Sequence, residues 1–151
     1  MRDAVIFDMD GTLADVSGIR HLVVPAPGER HKDFNAFHEA SVNVPAHDWV
    51  ADAARAFEEA GTDVLVVTAR KAKWRNHTAF WLALNGVPST ALFMRADNDH
   101  RPDREVKQDI LNRIRNEGWD VLHAFDDNPK VIAVWEANGI DTTVVPGWET
   151  T

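Results

Sequence analysis

The apolar positions of this chain fall into short continuous runs separated by amphipathic stretches. Residues 4–7 (Ala-Val-Ile-Phe) and 64–67 (Val-Leu-Val-Val) are unbroken apolar tetrads, the pattern of strands covered on both faces. Residues 91–94, 121–125 and 142–145 predict three further strands. Between them the period becomes helical. Trp49, Ala53, Ala56, Phe57 and Ala60 form one stripe that Gly61 ends, and residues 74–84 form a second, followed by Gly86 and Pro88. Val106, Ile110, Leu111 and Ile114 make a third that stops at Gly118, and residues 130–137 a fourth, closed by Gly139. Glycine just past a stripe is the expected helix stop. Strand and helix alternate throughout, which predicts an α/β fold: a Rossmann-like, doubly wound parallel sheet of five strands.

One stretch breaks the alternation. Residues 15–47 contain Pro25, Pro27, Gly28 and Pro45, which rule out a long element, so the stretch reads as a long loop or small cap after strand one. Within it, Phe34, Phe37 and His38 predict a short helix over 34–40. At 151 residues the chain fits a single domain, residues 1–151, able to bury roughly 70% of the surface it exposes when unfolded. It has no Cys, no apolar run near the roughly 18 residues of a membrane span, and no basic-then-apolar leader, so a cytoplasmic protein without a membrane partner is expected. A net charge of −8 argues against a broad duplex-binding surface, which needs clustered Lys and Arg. It does not argue against gripping one terminal phosphate.

The chemistry begins where the first strand ends. Asp8-Met9-Asp10-Gly11-Thr12 places two carboxylates one residue apart, and the glycine lets the chain turn so that both face one reacting centre. Asp8 is placed as a nucleophile that forms an aspartyl-phosphate, and Asp10 as the acid that protonates the leaving group and then the base that activates water. Ligands of open α/β sheets bind beyond the carboxyl ends of the strands, and those ends are polar here: Thr68-Ala69-Arg70, Met94-Arg95 and Asp126-Asp127-Asn128. Asp8, Asp126 or Asp127 and a backbone carbonyl near Asp10 suit Mg2+, which takes a few carboxylates and leaves positions for substrate oxygens.

In order, Asp8-Met9-Asp10-Gly11-Thr12, Thr68, Lys107 and Asp126-Asp127 resemble the four motifs of the haloacid dehalogenase superfamily. The resemblance implies Asp8 as nucleophile, Asp10 as general acid/base, and Thr68 and Lys107 on the phosphoryl group beside the backbone of Gly11 and Thr12. It also implies Mg2+ at Asp8, Asp10, Asp126 and Asp127. An Asp at position 10 favours the phosphatase branch. A narrower resemblance rests on Thr68-Ala69-Arg70, Arg75, Thr78, Trp81-Leu82, Met94-Arg95 and the run from Arg101 to Lys107 (RPDREVK). These look like the 3′-phosphatase domain of phage-type polynucleotide kinase-phosphatases. That implies substrate-binding roles for Arg70, Arg101 and Asp103 and, as partner, a phosphorylated nucleotide or nucleic-acid 3′ end. The chain contains no G-x-x-x-x-G-K-[ST], so a phosphatase without a kinase module is expected.

Plainer readings stand beside these. Arg70 suits a helix-start cation, Lys107 a solvated helix residue, and Arg101 and Asp103 first-turn charges. His21, His31, His38 and His47 lack metal-ligand spacing and read as surface or cap residues, with Arg20 or His21 the candidates to reach substrate from above. Trp74, Trp81, Trp119 and Trp135 read as packing at core-facing helical positions rather than base-stacking platforms, and Trp148 is uninformative. Two rival functions remain open: a phosphatase for a small metabolite or 5′-nucleotide, and a non-catalytic Mg2+ or phosphate-binding module.

Overall fold

A computed structural model describes residues 1–24 and 32–147. Pro25, Pro27, Gly28, His31 and Trp148 lie outside the described residues. Five parallel strands form one sheet in the order β3-β2-β1-β4-β5: β1 (Arg2–Phe7), β2 (Asp63–Lys71), β3 (Ala91–Arg95), β4 (Trp119–Asp126) and β5 (Asp141–Val144). The helices are α1 (Phe34–Ala40), α2 (Asp48–Glu59), α3 (Arg75–Leu84), α4 (Asp103–Asn116) and α5 (Pro129–Ala137). Residues 4–7 of β1 are completely buried because the strand is central and both faces are covered.

Alternation along β1 sorts the core into two layers. Val5 and Phe7 pack with Val50 and Ala54 of α2 and Trp81 of α3 on one face. Ala4 and Ile6 pack with Leu111 and Ile114 of α4 and Trp135 of α5 on the other. Four consecutive apolar residues are therefore required on this strand, and a polar side chain on either face would be buried without a partner. Trp81 and Trp135 are core residues as expected. Trp119 is also buried, but it opens strand β4 rather than lying on a helix. Trp74 ends a 3-10 turn (Ala72–Trp74) and is only half-buried. Trp49, on the predicted stripe of α2, remains 49% exposed.

The chain moves outward from β1 to β2 and β3, then returns to the other side of β1 with β4 and β5. The order thus reverses between β1 and β4, where a crevice opens beyond the strand ends. Phe7 is paired with Phe125, and Asp8 N–H donates to the Phe125 carbonyl at 3.0 Å, so Asp8 and Asp126 leave the sheet side by side.

The insertion is stitched shut at its base. Ala14 bridges Ala46 in antiparallel fashion, Asp15 N–H donates to the Pro45 carbonyl at 2.8 Å, and His47 N–H donates to the Leu13 carbonyl at 2.9 Å. The short helix expected at 34–40 is α1, capped by Asp33, whose carboxylate accepts from Ala36 N–H at 2.9 Å. No described helix is long and apolar enough to cross a membrane.

Candidate active site

Three carboxylates converge where the strand order reverses. Oxygens of Asp8, Asp126 and Asp127 lie within 4.8 Å of one another, and all three residues are buried. Such a cluster repels itself. Burial, then the negative charges of Asp126 and Asp127, hold the Asp8 carboxyl well above the usual carboxylate range against the opposing pull of Lys107. Burial and the charge of Asp126 likewise raise Asp127.

Lys107 supplies the internal counter-charge. It projects from α4 and is 2% exposed. Its Nζ donates to Asp8 Oδ1 at 2.8 Å and to Asp126 Oδ2 at 3.0 Å. Burial alone would lower its pKa, but the two carboxylates override that and raise it above the ordinary lysine value. Asp126 is fixed from three directions, since Oδ2 also accepts from Trp135 Nε1 at 3.2 Å and Oδ1 from Asn128 N–H at 3.1 Å. Thr12 Oγ1 lies 3.2 Å from Asp8 Oδ2 and 3.3 Å from Asp127 Oδ1, bridging the acids. Asp127 Oδ2 is buried and has no hydrogen-bond partner among the described residues; the nearby Arg20 Nη2 stands 3.9 Å away. An orphaned carboxylate oxygen within an under-compensated acidic triad fits a divalent cation, and oxygen donors suit Mg2+.

Gly11 makes this approach sterically feasible. Its φ is +82°, and a Cβ there would overlap Asp127 Oδ2. Only glycine satisfies both conditions.

Asp10 takes a different partner. Arg70 Nε and Nη2 donate to its two carboxylate oxygens at 2.9 and 2.5 Å, while Nη1 donates to Thr78 Oγ1 at 3.0 Å. Burial pushes the Asp10 carboxyl up, but the Arg70 charge and hydrogen bonds prevail and hold it below the usual range. The Asp10 carboxylate thus lies outside the candidate metal cluster of Asp8, Asp126 and Asp127, to which the sequence resemblance assigns it. Arg70 is not at a helix start. It belongs to β2, which continues beyond the apolar run to Lys71. The pairing with β3 shifts register between Val67 and Lys71, and such irregularities re-aim side chains beside active sites. Thr68 and Arg70 are both buried on this segment.

Arg101 and Asp103 line the same cavity as the acids, and their charges already have partners. Arg101 pairs with Asp99 and Asp109, and Asp103 pairs with Arg95 at 2.6 Å. Arg95, buried at the end of β3, also donates to the Ala69, Asp99 and Arg101 carbonyls. It ties β2, the 96–102 loop and the start of α4 together, a role that Met94-Arg95 in the sequence does not reveal.

Two histidines of the insertion also serve the site. His47 Nδ1 lies 2.8 Å from the Thr12 carbonyl, anchoring the loop that carries Asp10. His38 lines the cavity, and its Nδ1 is buried without a partner among the described residues. Its position on the predicted 34–40 helix was readable, but its proximity to the site depends on contacts with Trp74, whose ring lies 5.4 Å away. Burial, followed by the nearby Arg70 charge and against the pull of Asp10, lowers its pKa to about 4. An imidazole depressed below its unfolded value of about 6.5 binds fewer protons when folded, so stability is full above pH 6.5 and falls as the pH drops toward 4. Urea titrations should show this acid slope, up to about 3 kcal/mol, and His38→Gln should flatten it. A wild-type slope that persists in the variant would assign the loss to other groups.

Comparison with known proteins places the chain in a family and a fold. The polynucleotide kinase PNKP phosphatase domain family matches residues 2–147. A chain of the Pnkp1/Rnl/Hen1 complex superimposes with a TM-score of 0.81 at 23% identity, covering 96% of this chain and 46% of that one. The Pnkp1/Rnl/Hen1 RNA repair complex gives 0.79 at 23% identity, over 96% and 42%. The class C acid phosphatase from Bacillus anthracis with tungstate bound gives 0.73 at 15% identity, over 96% and 66%. This chain spans less than half the length of the chains it matches in those two complexes. With the family match running from β1 to the residues after β5, the chain belongs to the PNKP phosphatase domain family, a haloacid dehalogenase-type phosphatase group.

Proposed function

We propose that this domain is a Mg2+-dependent phosphatase that removes 3′-phosphates from nucleic-acid ends or nucleotides through an aspartyl-phosphate on Asp8. The observation that carries the reading is the buried convergence of Asp8 with Asp126, Asp127 and Lys107, one residue from Asp10, which Arg70 holds. The family match over residues 2–147 supports the choice of a 3′-phosphate. The roles follow from placement: Asp8, within the acidic triad, is the carboxylate that a bound cation would hold ionised for attack, and Asp10, outside the triad, is the one left to move the proton.

In this mechanism Asp8 attacks phosphorus in line, forming its own P–O bond as the bond to the ribose 3′ oxygen breaks. Lys107 and Thr68 neutralise the equatorial oxygens, where catalysis of phosphoryl transfer mostly lies, whereas the Gly11 and Thr12 N–H groups already donate to the Ala14 and Met9 carbonyls. Asp10 is ionised in the free site, and an entering phosphate dianion favours its protonated form by like-charge repulsion. It then donates that proton to the departing oxygen and recovers one from the water that cleaves the aspartyl-phosphate. When bound by Asp8, Asp126 and Asp127, Mg2+ supplies positive charge that offsets their repulsion and draws the phosphate in.

A panel of 3′- and 5′-phosphorylated oligonucleotides and mononucleotides tests the assignment. Faster turnover of the 3′-phosphates, lost in excess chelator and restored by Mg2+ but poorly by Ca2+, is expected. Preference for 5′-phosphates would favour a 5′-nucleotide or metabolite phosphatase, and full activity in chelator would remove the metal.

Arg70→Ala separates two roles for that residue. Because Arg70 holds Asp10, we expect kcat/KM to fall at least about tenfold, roughly 1.4 kcal/mol of transition-state stabilisation, on nucleotide and aryl phosphate alike. A loss confined to nucleotides would instead give Arg70 a direct grip on the substrate.

A further inference from the structure

The cavity above the carboxylates is far larger than a phosphoryl group requires. It measures about 530 Å3, within the range of roughly 300–1,000 Å3 usual for small-molecule sites. Its two sides differ in chemistry. One is charged, formed by Arg95, Asp99, Arg101 and Asp103; the other, from α1 and the turn before α3, carries Phe34, His38 and Trp74 together with Asn35 and Lys73.

The aromatic side is not spent on the core. Phe34 lines the cavity yet is 55% exposed. Trp74 is half-buried, with the His38 ring tilted against it at 5.4 Å, the His77 ring nearly perpendicular at 5.0 Å and the Lys73 ammonium over the ring. Lys73 Nζ lies 5.5 Å from the Trp74 ring and 3.4 Å from Asn35 Oδ1. An exposed Phe34 ring beside Trp74, a cation and an amide suits a flat heteroaromatic ring, because stacking accepts any base while amide and ammonium groups meet its polar edge. A bare sugar would need more hydrogen-bonding groups than Asn35 and Lys73 provide on this side.

We propose that this wall is a nucleobase subsite: it seats the base of the nucleotide whose phosphate is removed, with Phe34 as the stacking face, Trp74 as the wall that carries Lys73, and Asn35 and Lys73 at the base edge. The subsite rests on the nucleotide reading above and adds that the base itself contributes to turnover, whatever its identity.

The test compares kcat/KM for a 3′-phosphorylated dinucleotide with that for the same dinucleotide lacking its terminal base, using wild type, Phe34→Ala and Trp74→Ala. Wild type should prefer the base-bearing substrate at least tenfold, and the ratio should fall toward one in both variants. Phe34 is largely exposed, so its truncation leaves the core intact and keeps the test valid if Trp74→Ala folds poorly. A wild-type ratio near one overturns the subsite while 3′-phosphatase activity stands. An unchanged ratio in Phe34→Ala and Trp74→Ala overturns it as well. If 5′-phosphates are hydrolysed faster than 3′-phosphates, the 3′ assignment falls instead, and the base-to-abasic ratio on the 5′ pair decides the subsite by the same criterion.

Discussion

Asp8→Asn should abolish turnover while leaving the protein at least as stable as wild type. The amide keeps the size of the side chain but cannot attack phosphorus, and loss of a covalent nucleophile costs on the order of 10^4-fold or more in kcat. Stability should move the other way from a usual buried substitution. Asp8 is buried in an acidic cluster whose repulsion holds its carboxyl well above the usual range, so replacing its charge relieves that repulsion, and Lys107 still has Asp126 at 3.0 Å. Multiple turnover by the purified variant would remove Asp8 as nucleophile. A large drop in its urea midpoint would show that the carboxylate is needed by the fold.

Lys107→Met is expected to lose both activity and stability. Methionine fills a similar volume but leaves Asp8 and Asp126 buried without the ammonium they share, and breaking a buried pair by removing one partner costs about 3–5 kcal/mol. Mg2+ should restore part of that stability, because a cation bound to the folded form raises stability by mass action. Adding Asp8→Asn to the Lys107→Met chain should also restore stability, by removing one of the repelling charges, without restoring turnover. Such opposite behaviour of two readouts in one double-mutant cycle is what a shared electrostatic cluster produces. Additive stability changes would mean that Asp8 and Lys107 act independently despite their 2.8 Å contact.

The parts of this fold that were legible in the sequence are those in which apolar periodicity decides the structure. Ala4 to Phe7 and Val64 to Val67 predict buried strands because both faces are covered, and the stripes of α4 and α5 predict helices because one face is. The Asp8 motif and the acidic pair were legible for another reason: they follow strand ends directly, and the order reversal between β1 and β4 brings them together. Polarity conceals the continuation of β2 through Thr68 and Arg70, since nothing local says that these two are buried. Trp74 reads as a core aromatic and His38 as a cap residue because their meeting joins positions 36 apart in the chain. Arg95 is hidden in the same way, as its partners lie on β2 and the α4 approach.

The closed base of the insertion bears on how this chemistry can be retargeted over evolution. Its two ends leave and rejoin the domain within a few hydrogen bonds, at Ala14–Ala46, Asp15–Pro45 and Leu13–His47. The segment between can therefore lengthen, shorten or be exchanged without displacing Asp8 or Asp10. Doubling a flexible loop adds only about 0.6 kcal/mol of closure entropy, a small load beside the core that holds the sheet. Changes confined to that segment would alter what α1 places over the cavity while leaving the strand-end carboxylates where they are.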